Sequence, residues 1–307
     1  MKAAIIKAYA ARIEIAEIEE PRINEDSVLI SVHAAGLNPI DNILRAGHMK
    51  DYLPISFPHV MGYDVSGVVR EVGANVTRFK PGDAVYARPN QEDAGALAEV
   101  ARIKEDELAL KPANISHEEA ASIPLAGLTA WQAIVDKAGM KKDQKILIHA
   151  GSGGVGTLAI QIAKHLGAYV ATTTSAKNAD LVGSLGADKV IDYKTDKFDE
   201  LLSGYDVVFD MMGGETMNRL FKVLKKGGVL VSIKGQDSDG NAEKYGVRFE
   251  AFFMSSDGAQ LAELSALIKS GAVKPVIDSS YELSAASAAY DHLADGHAVG
   301  KIVVTIR

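Results

Sequence analysis

Three consecutive segments constrain this chain more than any other feature. Lys145-Ile146-Leu147-Ile148-His149 has the apolar, β-branched character of a buried strand, Gly151-Ser152-Gly153-Gly154-Val155-Gly156 is a glycine-rich turn, and Leu158-Ala159-Ile160-Gln161-Ile162-Ala163-Lys164 has helical amphipathicity. Strand, Gly-x-Gly-x-x-Gly and helix in that order open a βαβ unit. In a chain with 28 glycines the spacing alone would be a weak signal, and a glycine turn with no ligand is the plainer alternative; the flanking strand and helix give the motif its weight. Glycines there permit a tight turn and let backbone N–H groups approach a pyrophosphate, while the helix N-terminus adds partial positive charge.

Which dinucleotide such a turn accepts is read about twenty residues on, where a carboxylate would hold a ribose 2′-hydroxyl. The segment Ala171-Thr172-Thr173-Thr174-Ser175-Ala176-Lys177-Asn178 has no acid. Its hydroxyls and ammonium suit a 2′-phosphate, so the expected cofactor is NADPH, with Ser175 and Lys177 on the phosphate and Thr173 beside them. The bland alternative for Lys177 is a solvated lysine at a helix start.

The rest of the chain divides into two styles. Alternation over Val28–Val32 marks a strand, and further strands are expected at Ala3–Lys7, Val65–Val72, Ala84–Ala87 and Ala96–Val100, joined by turns such as Lys80-Pro81-Gly82-Asp83. From Ser116-His117-Glu118-Glu119, a capping-box pattern, helices enter: an Ala-rich one and another over Leu128–Ala138. Strands at Ile146–His149, Tyr169–Thr173, Lys189–Ile191, Val207–Phe209 and Val229–Ile233, spaced by helix-length segments, imply a parallel sheet. A helix near Ala285–Leu293 and a strand over Ile302–Ile306 return to the first style, so the C-terminus is expected to complete the N-terminal domain. The expected fold class is α/β: a doubly wound Rossmann sheet plus a mostly β domain.

Composition excludes several function classes. The net charge of −7 gives no footprint for nucleic acid, and no apolar stretch approaches the ~20 residues of a membrane span. The start, Met1-Lys2-Ala3-Ala4-Ile5-Ile6-Lys7, lacks a long apolar signal core, so a cytoplasmic location is the default expectation. The absence of cysteine removes disulfides, thiolate nucleophiles and cysteine-based zinc sites. Eight histidines are scattered, with His33, His48 and His59 as a loose N-terminal group, and no metal site is expected.

Ordered motifs then carry a resemblance: Ala35-Gly36-Leu37-Asn38-Pro39-Ile40-Asp41, Gly62-Tyr63-Asp64-Val65-Ser66-Gly67, Val72-Gly73, Gly82-Asp83-Ala84-Val85, Pro124-Leu125-Ala126-Gly127-Leu128-Thr129-Ala130, the glycine turn, Leu185-Gly186-Ala187-Asp188, Ile191-Asp192-Tyr193 and Gly300-Lys301-Ile302-Val303-Val304. Across essentially its whole length the chain resembles the zinc-independent quinone oxidoreductases of the medium-chain dehydrogenase/reductase superfamily. Tyr63-Asp64, Ser255-Ser256-Asp257-Gly258 and Lys274-Pro275-Val276-Ile277-Asp278 are similar to the alkenal and enone reductase branch. Zinc enzymes of that superfamily place a cysteine near Asn38 and Gly-His-Glu at Gly62-Tyr63-Asp64; both are replaced here.

The resemblance implies a GroES-like catalytic domain (1–118 and 275–307) and a Rossmann NADPH-binding domain (119–274), with the nicotinamide in the cleft between them. It implies cofactor contacts at Asn38, Thr129, Gly151, Ser152, Gly153, Gly154, Val155, Tyr193, Gly213, Ile233 and Lys301. Met49, Tyr52, Phe252 and Phe253 are expected to line the substrate cleft, although the Phe252-Phe253-Met254 run reads equally as a buried strand. A homodimer is also implied.

Without a metal acting as Lewis acid, a conjugated carbonyl or quinone is the better-suited acceptor, because hydride addition delivers charge onto oxygen, where one or two hydrogen-bond donors stabilise it. Candidate groups are Asn38 for orientation, Tyr63 as donor to the substrate oxygen and Asp41 as a structural or ribose contact. Asn38 before Pro39 is also ordinary turn chemistry, and Tyr63 also reads as core packing. The competing readings are a non-catalytic NADPH-binding sensor, one-electron quinone reduction and a conventional alcohol dehydrogenase.

Overall fold

The computed structural model describes residues 1–90 and 95–307. Alternating burial along the first third resolves into a small antiparallel sheet and a larger one that is antiparallel except where Ile277–Glu282 pairs in parallel with Lys301–Thr305. The larger runs in the order Ile277–Glu282, Lys301–Thr305, Ser27–Gly36, Asp64–Val72, Ala84–Ala87, Leu108–Leu110, with Val100–Lys104 also pairing Ser27–Gly36. The smaller joins Glu14–Glu17, Lys2–Ile6 and His59–Val60. These strands belong to a compact unit made of Met1–Leu128, Ser256–Gly271 and Pro275–Arg307.

The register of the larger sheet brings distant residues together. Gly36 lies opposite Asp64 on one side and Val303 on the other, and Leu37 N–H donates to Ile302 C=O at 2.9 Å. Val28, Ile30, Val32, Val65, Val85, Ile302 and Val304 point to one apolar core. Strand Lys301–Thr305 thus sits inside this sheet, as the chain's late return to strand patterning suggested.

The strand expected at Ala96–Val100 instead runs Val100–Lys104. Its predecessors bond to the smaller sheet: Ala4 N–H donates to Leu97 C=O at 2.8 Å and Ala98 bridges Ala3. Those bonds turn the chain from one sheet to the other and postpone the regular ladder. Ser116 caps the helix His117–Ala121 with the reciprocal Glu119 bond that its spacing predicted.

A second compact unit comprises Thr129–Ser255 with Ala272–Lys274. Its six strands are all parallel and ordered Lys189–Asp192, Tyr169–Thr174, Lys145–Ile148, Tyr205–Asp210, Leu224–Ser232, Arg248–Ala251, the third-second-first-fourth-fifth-sixth arrangement of a doubly wound sheet. The order reverses at Lys145–Ile148, so the glycine turn leaves the sheet at its switch point, where ligands bind in such folds. The helix expected over Leu128–Ala138 is Pro124–Trp131 continued by a π-helical turn, Gln132–Lys137. Gln132 Nε2 donates to Ser255 C=O at 2.8 Å and its Oε1 accepts from Ser255 N–H at 3.1 Å, pinning the segment that follows the last strand.

Candidate functional site

Of the four glycines of the turn, Gly151, Gly153 and Gly156 differ in what a side chain would meet. A Cβ on Gly151 would sit 1.9 Å from Thr172 Oγ1, and one on Gly156 would sit 2.4 Å from Ala150 C=O, so strand and helix can approach only without them. Gly153 has extended backbone (φ −78°, ψ 172°), and its Cβ would meet only Ala150 C=O at 3.5 Å. Nothing in the protein demands glycine there. The added atom would lie in otherwise open space at the start of the 12-residue helix Gly154–His165, whose N-terminus has no side-chain cap. Uncapped N–H groups, a positive helix end and free backbone approach suit a pyrophosphate.

Side chains from the second strand brace this cradle. Thr173 Oγ1 accepts from Ala150 N–H at 3.0 Å and bonds His149 Nδ1 at 2.7 Å, while Thr173 C=O accepts from Gly151 N–H at 2.9 Å. The structure therefore places Thr173, only 1% exposed, behind the turn as its fastener. Ser152 Oγ accepts from Thr174 Oγ1 at 2.8 Å and Asn178 Nδ2 at 3.2 Å. Ser175 is buried at the strand end, Lys177 is exposed just beyond it, and Tyr193, 55% exposed, closes the next strand with its N–H on Thr174 C=O. Among the described residues no carboxylate forms an ion pair with Lys177. Gly213, at φ 71°, follows the fourth strand and donates its N–H to Asp210, whose carboxylate also accepts from Ser232 Oγ at 2.7 Å. Ile233 is half-buried one residue later, and Thr129 is buried. Burial lowers the basicity of His149, a fastener that sequence reasoning passed over.

The other unit holds a buried polar cluster. Lys301 Nζ donates to Leu37 C=O at 2.7 Å, to Asn38 Oδ1 and to Asp64 Oδ2 at 3.3 Å, committing all three ammonium hydrogens to the protein. Asn38 Nδ2 donates to Asp64 Oδ2 at 2.9 Å, and Asp64 Oδ1 accepts from Leu125 N–H at 2.8 Å. Asn38 also starts the helix Pro39–Arg45, its N–H donating to Asp41 Oδ2 at 3.0 Å. The same Oδ2 accepts from Tyr290 O–H at 3.2 Å. Among the described residues three buried side-chain atoms lack a hydrogen-bond partner: Asp41 Oδ1, Tyr63 Oη and Arg88 Nε. Arg88 lies over the Tyr63 ring at 5.0 Å. Asp64 and Tyr290, both in the cluster, carried no role in the sequence reading; Tyr290 is 249 positions from Asp41 and had no local signal.

Burial pushes the Asp41 carboxyl up to about 7, reinforced by the Asp64 charge and opposed by Asn38 N–H, Lys301 and Tyr290. Burial likewise raises Tyr63 and Tyr290 above the ordinary phenol range. The sign for stability follows from the unfolded carboxyl's ordinary value of ~3.9. Asp41's contribution is full below about pH 4, where both states are protonated, and is lost as pH rises through about 7. Unfolding free energy should therefore decline over that window in the native protein, and Asp41→Asn should flatten the decline. Urea titrations at pH 5 and pH 8 measure it, and an unchanged difference between those pH values in the variant would contradict it.

The expected cleft residues differ in setting: Met49 and Phe252 are half-buried, whereas Tyr52 is 84% and Phe253 62% exposed. Among the described residues no group of three or more His, Asp or Glu is placed to hold a metal, and no helix is long and apolar enough to cross a membrane.

A doubly wound sheet with an anion-ready glycine turn, in a chain that also carries an antiparallel unit with a buried Asn–Asp–Lys cluster, defines a nucleotide-dependent dehydrogenase class. Residues 24–113 match the alcohol dehydrogenase GroES-like domain, and residues 185–304 match the zinc-binding dehydrogenase domain. The chain is 40% identical to an NADPH-dependent alkenal/one oxidoreductase of Arabidopsis thaliana, over 99% of this chain and 79% of that protein. It is 41% identical to a 2-methylene-furan-3-one reductase of Solanum lycopersicum, over 92% of this chain and 73% of that protein. The NADPH-bound quinone oxidoreductase of Escherichia coli shares its fold with a TM-score of 0.90 at 28% identity, each chain covered in full. The chain belongs to the medium-chain dehydrogenase/reductase superfamily, among its quinone oxidoreductases and alkenal/enone reductases, and is an oxidoreductase.

Proposed function

We propose that this protein is an NADPH-dependent reductase of conjugated acceptors, α,β-unsaturated aldehydes and ketones or quinones, working without zinc. The observation that carries the cofactor is the open cradle at Gly153 beneath an uncapped helix end, followed by a strand end with Lys177 and no carboxylate. Names of relatives on both sides of the acceptor class, alkenal/one and quinone, support the substrate reading. When bound, the dihydronicotinamide supplies hydride to an electron-poor carbon. The chain's own task is to hold the pyrophosphate on the turn, orient the acceptor through Asn38 and offer the Tyr63 hydroxyl to the oxygen that gains charge. The catalytic part is assigned to residues 1–118 and 275–307 and the cofactor part to 119–274; the protein is further read as a cytoplasmic homodimer.

Adding an enone, an enal or a quinone to protein and NADPH should consume the reduced-nicotinamide absorbance. Tight NADPH binding with no turnover on any of these would replace the reading with a cofactor-binding sensor. Lys177→Ala should raise KM for NADPH about tenfold, the worth of one charged hydrogen bond, and leave KM for NADH unchanged. Equal changes for the two cofactors would remove Lys177 from the phosphate.

A further inference from the structure

Ser152 is the one residue of the glycine turn with a hydroxyl. Its Oγ accepts from Thr174 Oγ1 at 2.8 Å and from Asn178 Nδ2 at 3.2 Å. A hydroxyl oxygen offers two lone pairs and one hydrogen, so both acceptor positions are filled and only the hydrogen remains. Among the described residues no acceptor receives it. Both donors come from the end of the strand Tyr169–Thr174 and its continuation. Thr174 is the last residue of that strand and is buried, which confines its rotor. Asn178 closes the single 3-10 turn Ala176–Asn178, its N–H donating to Ser175 C=O at 2.9 Å, and this turn carries its side chain back to Ser152, 26 positions away. Ser152 is thus tied by both bonds to the segment that carries Ser175 and Lys177. In doubly wound folds the ribose 2′-position of a dinucleotide is met at the end of that strand.

We propose that Thr174 and Asn178 turn the Ser152 hydroxyl outward as a donor to the cofactor 2′-phosphate, so that Asn178 helps set the preference for NADPH over NADH. That role rests on the reading above, in which NADPH occupies the turn and Lys177 meets its 2′-phosphate; Ser152 adds a neutral donor from the turn itself. A phosphate oxygen carries charge and no hydrogen, which suits a hydroxyl whose lone pairs are already filled, and a bond to it is about twice as strong as one to the neutral 2′-hydroxyl of NADH. Ser152 makes the contact. Asn178 and Thr174 act through it and are positioning residues. The other anion at this turn is the pyrophosphate, which NADPH and NADH share, so comparing the two cofactors tells the two acceptors apart.

Fluorescence titration of the cofactor-free protein with NADPH and with NADH tests this without turnover. Ser152 and Asn178 are both half-buried, so their substitution leaves the core intact. Ser152→Ala should weaken NADPH about tenfold and NADH less than about twofold, the effect of one charge-assisted bond. Asn178→Ala should weaken NADPH about three- to fivefold, because the hydroxyl is left in place with one of its two guides removed. Asn178→Asp is the sharper variant. A carboxylate only accepts, so it takes the Ser152 hydrogen for itself and sets a negative charge beside the phosphate. NADPH affinity should then fall by roughly a hundredfold, while NADH should hold or tighten, since a carboxylate there can receive a ribose 2′-hydroxyl. Competition by 2′,5′-ADP against 5′-AMP should repeat the pattern with no nicotinamide present. Equal losses for NADPH and NADH in Ser152→Ala would assign the hydroxyl to the pyrophosphate and overturn the proposal. Native NADPH affinity in Asn178→Asp would overturn it too, because the hydrogen would then already be spent on residue 178. Failure of the native chain to bind NADPH at all would instead sink the cofactor reading.

Discussion

Gly153→Val should abolish measurable NADPH binding while leaving the fold nearly as stable, and Gly156→Val should destabilise the fold by roughly 3 kcal/mol or more. The two glycines are three positions apart in one turn, yet only one is needed by the protein itself. At Gly153 the backbone is extended and a Cβ would touch nothing closer than Ala150 C=O at 3.5 Å, so valine costs about 1 kcal/mol as a poor helix cap. Its methyl groups occupy the approach to the helix N-terminus, and a pyrophosphate held by backbone N–H groups has no alternative seat there. A thousandfold loss of affinity is about 4 kcal/mol, the order expected when several charge-assisted bonds are blocked together. At Gly156 a Cβ would lie 2.4 Å from Ala150 C=O and 2.7 Å from Gly151 Cα. Backbone must move apart, at a cost of roughly 3 kcal/mol or more. Thermal melting together with an NADPH fluorescence titration separates the two effects. Gly153→Val binding NADPH within threefold of the native chain would refute the assignment of the cradle.

Lys301→Met should destabilise the protein by about 3–5 kcal/mol, and adding Asp64→Asn should restore part of that loss. Asp64 is fully buried, and its Oδ2 receives Lys301 Nζ at 3.3 Å and Asn38 Nδ2 at 2.9 Å. Removing the ammonium leaves a carboxylate with amide donors and no compensating charge, which is the costly way to break a buried pair. Neutralising both partners removes the unpaired charge, so the double variant should recover at least ~1–2 kcal/mol relative to the lysine variant. Urea unfolding of the four chains closes the cycle. A Lys301→Met loss under ~1 kcal/mol would mean that the pair is solvated and does not hold Asn38.

Much of the second unit was legible because its signals are local. The strand before Gly151, the glycine spacing and the apolar strands at helix-length intervals each lie within one stretch, and parallel strands buried on both faces read as continuous apolar runs. The capping box at Ser116 is equally local. Ala96–Val100 misled for a physical reason: its residues alternate correctly but spend their hydrogen bonds crossing between two sheets. The π-helical turn at Gln132–Lys137 left no mark either, since its register is set by the Ser255 backbone 123 positions away.

The candidate site divides along the same line. By itself the sequence determined that a dinucleotide turn is present, that no acid follows it where a ribose would be held, and that no cysteine is available for a metal, because glycine spacing and residue type act locally. Only the tertiary structure decided that Gly153 is open where Gly151 and Gly156 are crowded, that Thr173 stands behind the turn, and that Lys301 is spent on Asn38 and Asp64. It also decided that Tyr290 reaches Asp41 while Oδ1 and Tyr63 stay unpartnered. Those facts depend on sheet register and burial, which set the neighbours and the dielectric around a charge and are carried by residues hundreds of positions apart.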